Sequence, residues 1–287
     1  MDRRQFLISA ASALVLQARL KAAQSSLPVK GKGSADKKFA DLLGRFQEDP
    51  DLATSSKRVE QRGFEPSKPG PERAGERGPK SKREISEGAI KLIIAAEITN
   101  KRTYDSLYSS PVWPGLMSGI TIGIGYDIGW VSQSDLAQDW KDYVDNQTIE
   151  ILIRATGRRG SAAAELLDAL KAIKIQWNTA SAQFYSETLP RCIGATESAL
   201  PNTSVLTNDC FGSLVSVAYN RGAAFGESGD RYREMRAIHD YMSQKHFQTI
   251  PGEIRRMKRL WLNDPKARGL ILRREAEALL FESGLQN

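Results

Sequence analysis

The sequence predicts a predominantly helical α+β domain with one small β element. From Ser86 onward, apolar residues recur at the helical spacing in most segments of the chain. Over residues 118–128, isoleucines instead alternate with Thr121 and with glycines, which is the period of a β-strand. The chain has 287 residues, of which 40% are hydrophobic, so it can build one sizeable core or two small ones.

The first 23 residues have the features of a twin-arginine export signal. Arg3 and Arg4 precede a short apolar run from Leu7 to Leu16, and small residues follow it. We therefore expect an exported protein, periplasmic or secreted. The alternative is a membrane-anchored or cytoplasmic amphipathic N-terminus.

Residues 24–85 predict a basic, disordered linker, because their Lys, Gly, Ser, Pro and Glu content leaves little to bury. A short helical patch is expected within it, from Phe39 to Phe46. Residues 1–85 hold 18 Lys/Arg and 11 Asp/Glu, whereas residues 86–287 hold 23 of each. The net charge of +7 therefore belongs to the N-terminal stretch, and we expect no nucleic-acid partner for the domain.

Helical patterns account for most of the predicted domain, residues 86–287. Ser86 predicts the N-cap of an intensely apolar helix, and "SQSDLAQDWKDYVD" starts with capping serines. A long helical segment starts at Ser161 and is expected to break near Asn178. A buried helix is expected to end at Gly222, and three more helices follow it. No apolar run beyond the N-terminus is long enough to cross a membrane, so we expect no stable insertion of the mature chain, and a monomer.

The glycine-rich run "SGITIGIGYDIGW" does not fit a phosphate-binding loop. Gly123, Gly125 and Gly129 are spaced more widely than a dinucleotide fingerprint requires, and neither a βαβ pattern nor a P-loop lysine accompanies them. Isoleucines at period two instead place one apolar face on the core, and the glycines leave the opposite face open to a backbone or a ligand. These isoleucines are Ile120, Ile122 and Ile124.

Three residues form a candidate catalytic set. Thr121 and Asp127 have the same parity along the strand, so a hydroxyl and a carboxylate share its open face. Glu97 ends the apolar helix, and a carboxyl beside hydrocarbon favours its protonated form because desolvation penalises its charge. A general acid that works near neutral pH needs this property.

These segments resemble the pesticin-like muramidase domains, within the phage-type lysozyme-like superfamily. In that family a Glu, a Thr about two dozen residues later and an Asp six residues after the Thr form the active site, and here these are Glu97, Thr121 and Asp127. The resemblance implies a lysozyme-like fold with a small β-hairpin lobe and a larger helical lobe. Phage lysozymes place their second carboxylate earlier, near the position of Asp105, which is therefore the alternative to Asp127.

The resemblance extends downstream and covers about residues 86–284. "LVSVAYNRGAAF" and "GLILRREAEALLF" are similar to the central and C-terminal helices of the family. In the second segment, Arg273 and Arg274 are expected on the helix surface; pairing with acidic residues near the cleft, as in family members, is the alternative.

The family implies acid-catalysed cleavage between N-acetylmuramic acid and N-acetylglucosamine in peptidoglycan. Glu97 would protonate the glycosidic oxygen, while Asp127 and Thr121 would orient or activate a water. Substrate contacts are expected from Tyr126, Tyr219, Asn220, Gly123 and Gly125. The alternatives are a non-catalytic peptidoglycan-binding module and a bacteriocin-like toxin.

We expect neither a cofactor nor a metal. The two histidines, His239 and His246, are seven residues apart, and no CxxC motif occurs. Cys192 and Cys210 would either form a disulfide in an exported protein or lie buried as thiols.

Overall fold

The computed structural model describes residues 33–54 and 78–286, so the predicted export signal lies outside the described residues. The described chain is predominantly helical and carries one two-stranded antiparallel sheet, which confirms the predicted class at this level. None of its helices combines the length and the hydropathy needed to cross a bilayer.

The described residues form a series of helices and helical turns. The α-helices whose full bounds are described are α1 (Ser34–Glu48), α2 (Glu87–Ile98), α3 (Lys101–Thr103), α4 (Gln133–Trp140), α5 (Asn146–Ile153), α6 (Ser161–Ala164), α7 (Leu167–Leu170), α8 (Trp177–Gln183), α9 (Leu189–Ala199), α10 (Asn208–Arg221), α11 (Arg233–Gln244), α12 (Ile250–Arg256) and α13 (Arg268–Leu285). The π-helical turns are Tyr104–Tyr108 and Phe184–Thr188. The 3₁₀ turns are Ile128–Trp130, Thr203–Val205, Asp230–Tyr232, Phe247–Thr249, Met257–Leu260 and Pro265–Ala267.

Helix α10 lies at the centre of the core. Residues 210–218 are all buried, as expected of a helix that is apolar on every side, and α10 packs against α2, α9 and α13. The predicted ends of α2 and α10 are confirmed: Ser86 accepts a 3.2 Å hydrogen bond from the amide of Ala89, and α10 ends at Gly222 with φ 74°. This packing brings the C-terminal halves of α2 and α10 close to the N-terminal half of α13.

Helix α1 packs against α2 and α13, although it falls within the predicted linker. Phe46 is fully buried. The ring of Phe39 packs closely on Gly88, where a Cβ would stand 3.2 Å from the ring. The prediction of a disordered linker over residues 24–85 is therefore wrong for α1, and the expected helical patch is present and longer. The average composition of residues 24–85 is polar, but part of this stretch has an amphipathic i, i+3, i+4, i+7 pattern. This pattern consists of Phe39, Leu42, Leu43 and Phe46.

The long helical segment that starts at Ser161 breaks earlier than the sequence suggests. After α7 the chain is extended, with Ile173 and Ile175 buried and Lys174 exposed between them, and the helix resumes at Trp177. The amide of Ile175 donates to the carbonyl of Ser109 at 2.8 Å. We call this segment, in which buried and exposed residues alternate, the period-two stretch. Its hydrogen bond connects the chain just beyond α3 with the start of α8.

The predicted β element is a short hairpin. Strand β1 is Thr121–Ile122 and strand β2 is Tyr126–Asp127, with Thr121 opposite Asp127 and Ile122 opposite Tyr126. The three-residue loop uses Gly123 at φ 56° and Gly125 at φ 76°, a conformation that glycine adopts at little cost. The alternating isoleucines are all buried, as predicted: Ile120, Ile122 and Ile124.

The two cysteines are not joined. Both Cys192 and Cys210 carry free thiols, and Cys210 donates to the carbonyl of Phe281 at 3.3 Å. Burial raises the pKa of the Cys192 thiol to about 12 and that of Cys210 to about 11, so both stay protonated at neutral pH. The buried-thiol alternative is the one the structure shows.

Candidate active site

Glu97 lies in the last turn of α2 and is only 8% exposed. Its Oε1 accepts a 2.9 Å hydrogen bond from Nη1 of Arg273, in the N-terminal half of α13. A buried carboxylate without a partner would be costly, and this ion pair supplies the opposite charge. The environment of Glu97 is therefore apolar on the α2 side and cationic on the α13 side.

Arg273 belongs to a wholly buried charge network. Its Nε donates to Oε1 of Glu277 at 3.2 Å, and its Nη2 donates to the carbonyl of Ser216 at 3.0 Å. Arg274, with no exposed surface, pairs with Glu277 through Nε and Oε2 at 2.7 Å. Burial alone would lower the pKa of Arg273, but the Glu97 and Glu277 carboxylates outweigh it and raise the pKa.

The expectation that Arg273 and Arg274 lie on the helix surface is therefore wrong. Arg273 is 3% exposed and Arg274 is 0% exposed. The alternative, pairing with acidic residues near the candidate site, holds for Arg273 through Glu97. The sequence favours a solvated face for these two arginines because arginine is rarely buried unless it is paired. Both pair with Glu277 on the same helix, and Arg273 also pairs with Glu97 from a distant segment.

The chain leaves α2 through a strained turn at Thr99. This buried threonine has φ 67° and ψ −72°, and the amide of Asn100 donates to the carbonyl of Ile98 at 2.8 Å. These values describe a γ-turn of the rare, strained type, and β-branched residues seldom adopt it. Its hydroxyl is buried without a hydrogen-bond partner in the described part of the chain. Strain of this kind, two residues from Glu97, is typical of functional sites.

The tip of the hairpin touches Glu97. A Cβ on Gly125 would stand 2.9 Å from Oε2 of Glu97, so only glycine allows this approach. Tyr219, on α10, donates to the carbonyl of Ile124 at 2.6 Å and fixes the tip. Burial, with the Glu97 carboxylate as a second cause, raises the pKa of Tyr219 well above its ordinary value, which keeps this hydroxyl a donor.

Thr121 and Asp127 face each other across the hairpin, as the alternation predicts. The Asp127 carboxylate accepts hydrogen bonds from the amide of Gly129 at 2.9 Å and from that of Gly119 at 3.2 Å. Hydrogen bonds of this kind favour the charged form of a carboxyl and fix its direction. Asp127 is therefore held in place by the backbone of its own loop.

Two of the expected substrate contacts lie on the other face of the hairpin. Tyr126 is 7% exposed, donates to Oδ2 of Asp139 at 2.8 Å, and meets the ring of Trp140 edge-on at 5.7 Å. A Cβ on Gly123 would stand 3.0 Å from the Trp140 ring. The structure thus packs Tyr126 and Gly123 against α4 and does not bring them to Glu97.

Asn220 follows Tyr219 at the C-terminal end of α10 and is partly buried. Its Oδ1 is buried and accepts no hydrogen bond from the described residues. Buried acceptors are nearly always paired, so an orphan one at this position is a candidate contact for a ligand N–H or O–H.

Asp105, the alternative second carboxylate, has a different setting. It lies on the π-helical turn after α3, its side chain is 46% exposed, and it pairs with Lys101 one turn earlier. A pocket of about 310 Å³ opens there, near the lower size limit of small-ligand sites. Its lining is polar except for one indole: Lys101, Asp105, Ser109, Gln176, Trp177 and Asn178.

Trp177 is the pocket residue that sequence reasoning missed. Its ring is partly exposed and meets Tyr104 edge-on at 5.4 Å. One feature of the sequence could have identified Trp177. It lies directly after the period-two stretch, which connects α8 to Ser109. Within the described ranges, no group of three or more His, Cys, Asp or Glu side chains is placed to hold a metal ion.

A model of a family described as a domain of unknown function, DUF8812, matches residues 94–190. The matched part contains Glu97, the hairpin and Trp177, and it ends before Tyr219 and Arg273. No curated protein matches the chain.

Proposed function

We propose that the protein is an exported peptidoglycan hydrolase of lysozyme-like fold, which cleaves the bond between N-acetylmuramic acid and N-acetylglucosamine. One observation carries the proposal. The buried carboxyl of Glu97 lies against the tip of a hairpin in which the buried Thr121 stands opposite the partly exposed Asp127. Most glycoside hydrolases use a pair of carboxyl groups that flank the scissile bond, and Glu97 and Asp127 are the pair proposed here.

Glu97 is the general acid of the proposed reaction. It donates its proton to the glycosidic oxygen as the bond to the sugar breaks, and this leaves a carboxylate. Arg273, 2.9 Å away, stabilises that carboxylate and keeps its direction fixed. The neighbouring Tyr219 holds the hairpin tip against Glu97, so it is a positioning residue.

Asp127 and Thr121 act on the opposite side of the sugar. The backbone amides that bind the Asp127 carboxylate fix its direction, and a carboxylate so placed can orient a water or stabilise an oxocarbenium-like transition state. The Thr121 hydroxyl provides a second contact for the same water. A carboxyl separation of about 6.5–9.5 Å in the complex gives inversion, and about 5–5.5 Å gives retention.

Two further features favour a sugar polymer as the ligand. The pocket beside Asp105 combines an indole with amide, hydroxyl and charged groups, which suits a ring that is apolar on its faces and polar at its edge. The unpaired Oδ1 of Asn220 is an acceptor for the N–H of an acetamido group.

Glu97→Gln tests the proposal. The amide keeps the shape of the side chain but cannot supply the proton, and Arg273 keeps its bonds to Glu277 and Ser216. We expect wild-type protein to release reducing ends from purified peptidoglycan and the variant to lose at least about 10²-fold in rate. Glu87→Gln, at the exposed start of the same helix, is the matched control and should keep full activity.

Thermal unfolding of each variant shows whether the fold is retained. Undiminished release by folded Glu97→Gln protein would remove Glu97 from the mechanism. Binding to peptidoglycan without release by the wild-type protein would instead indicate a binding module.

A further inference from the structure

A basic loop lies beside the proposed catalytic hairpin. The arginine loop, Arg154–Gly160, has the sequence "RATGRRG" and exposes the side chains of Arg154, Arg158 and Arg159. Of the ion pairs that the structure describes, none includes these three guanidiniums, and the flanking Glu150 and Glu165 do not pair with them. Because residues 86–287 are balanced in charge overall, this is a local concentration of unpaired positive charge.

The arginine loop is fixed to the hairpin by its backbone. The amide of Gly157 donates to the carbonyl of Ile128 at 3.2 Å, and the amide of Gly160 donates to the carbonyl of Ser118 at 3.0 Å. Ile128 follows β2, and Ser118 precedes β1. The middle and the C-terminal end of the loop are therefore tied to the segments that flank the two strands.

The contact reaches the residues that hold Asp127. A Cβ on Gly129 would stand 2.8 Å from the carbonyl oxygen of Arg158 and 2.9 Å from Cγ of Arg159. Gly129 donates one of the two amide hydrogen bonds to the Asp127 carboxylate. The guanidinium of Arg159 lies 4.0 Å above the ring of Trp130, which restricts its position. The Arg159 guanidinium therefore has a defined place beside the segment that holds Asp127.

We propose that the arginine loop binds the carboxylates of the peptide stems carried by peptidoglycan. Guanidinium groups match carboxylates in charge and in bidentate geometry, and three of them suit a chain with several carboxylates. In peptidoglycan, every N-acetylmuramic acid carries a short peptide with free carboxylates, so a strand bound beside Asp127 presents such stems to the loop. This proposal rests on the proposed function, and it assigns the recognition of the stem to residues outside the proposed catalytic set.

The test compares two substrates with the full chain. One is soluble glycan strands that carry their peptide stems, and the other is the same strands after an amidase has removed them. For the double variant Arg158→Gln/Arg159→Gln we expect KM on stem-bearing strands to rise about tenfold with kcat unchanged, since one lost charge-assisted contact is worth about that factor. On stripped strands both constants should equal those of the wild type.

A matched control removes two exposed cations elsewhere. Lys38→Gln/Arg45→Gln, on α1, makes the same change in net charge and should leave both substrates unaffected. Equal loss on both substrates would overturn the proposal, because the loop would then act through the hairpin. No loss on either substrate would overturn it as well.

Binding distinguishes failure of this proposal from failure of the proposed function. If wild-type protein cleaves neither substrate, the hydrolase proposal fails, and the affinity of the chain for the two kinds of strand still tests the loop. Tighter binding of stem-bearing strands that the double variant loses supports it. Equal affinity for the two strands contradicts it, as does a stem-independent preference for DNA or for anionic vesicles at the same ionic strength.

Discussion

The two carboxylates of the proposed catalytic pair are held by different parts of the chain. Glu97 is buried, and its charged partner is the side chain of Arg273, which lies 176 residues away in the sequence. Asp127 is partly exposed, and its partners are backbone amides within eight residues of it. The first arrangement depends on a side-chain network in the core, and the second depends on the path of a local loop.

This difference has consequences for how each carboxylate responds to change. A single side-chain substitution on α13 alters the charge around Glu97. The bonds to Asp127 survive most side-chain changes because their donors are backbone amides, although Gly119 and Gly129 themselves leave no room for a Cβ. We therefore expect large stability effects on the Glu97 side and mainly activity effects on the Asp127 side.

Arg273→Met gives the largest expected effect. It leaves the Glu97 and Glu277 carboxylates without one cation in a buried site, and removal of one partner of such a pair costs about 3–5 kcal/mol. Urea unfolding should show this loss. Arg255→Met is the control, since Arg255 also pairs with two glutamates but is 31% exposed, and it should cost about 1 kcal/mol or less. Equal losses would contradict the importance of the buried network.

Asp127→Asn and Asp105→Asn separate the two candidates for the second carboxylate. In Asp127→Asn the side-chain amide oxygen can still accept a hydrogen bond from the backbone of Gly129, but the charge is lost. We therefore expect about a 10²–10⁴-fold loss in rate with little unfolding. Asp105→Asn breaks only an exposed pair with Lys101 and should keep activity within about tenfold. The reverse ranking would make Asp105 the second carboxylate and reduce Asp127 to a loop-stabilising residue.

Gly125→Ala disturbs the contact between the two sides. The added Cβ would collide with Oε2 of Glu97, and φ 76° is unfavourable for alanine, so we expect a loss of about 1–3 kcal/mol and a fall in activity. Gly226→Ala is the control, because nothing lies within 4 Å of its added Cβ and its φ is ordinary. Thermal unfolding and strand cleavage measure both effects; a fully active Gly125→Ala protein would show that the contact is dispensable.

Thr99→Gly gives the smallest expected effect. Glycine adopts the γ-turn without strain and removes an unpaired hydroxyl, which offsets the lost side chain, so the free energy of unfolding should change by less than about 1 kcal/mol. Thr103→Gly, at an ordinary helical φ of −64°, should cost about 1–2 kcal/mol. An equal cost at both positions would mean that Thr99 stores no strain.

The sequence predicts the Asp127 side of the molecule better than the Glu97 side. Period-two isoleucines and glycines are local signals, so the β element, its buried isoleucines and the shared face of Thr121 and Asp127 could all be predicted. The helix that carries Glu97 could also be predicted, from the Ser86 cap. The partner of Glu97 could not, because the contact with Arg273 joins segments that no short-range pattern connects.

Other contacts that the sequence does not predict have the same origin. Tyr126 packs against α4 because its partner Asp139 lies on that helix, and its contact with a substrate stays a prediction. Helix α1 was assigned to a linker because its apolar residues sit in a polar stretch, and only packing on α2 and α13 makes them a core face.

Product analysis of digested peptidoglycan tests the central claim most directly. Wild-type protein is incubated with purified peptidoglycan, and the new chain ends are identified by mass spectrometry after borohydride reduction. We expect reducing N-acetylmuramic acid ends from wild-type protein and none above background from Glu97→Gln. Absence of new glycan ends with folded wild-type protein, or the same ends from both proteins, would contradict it.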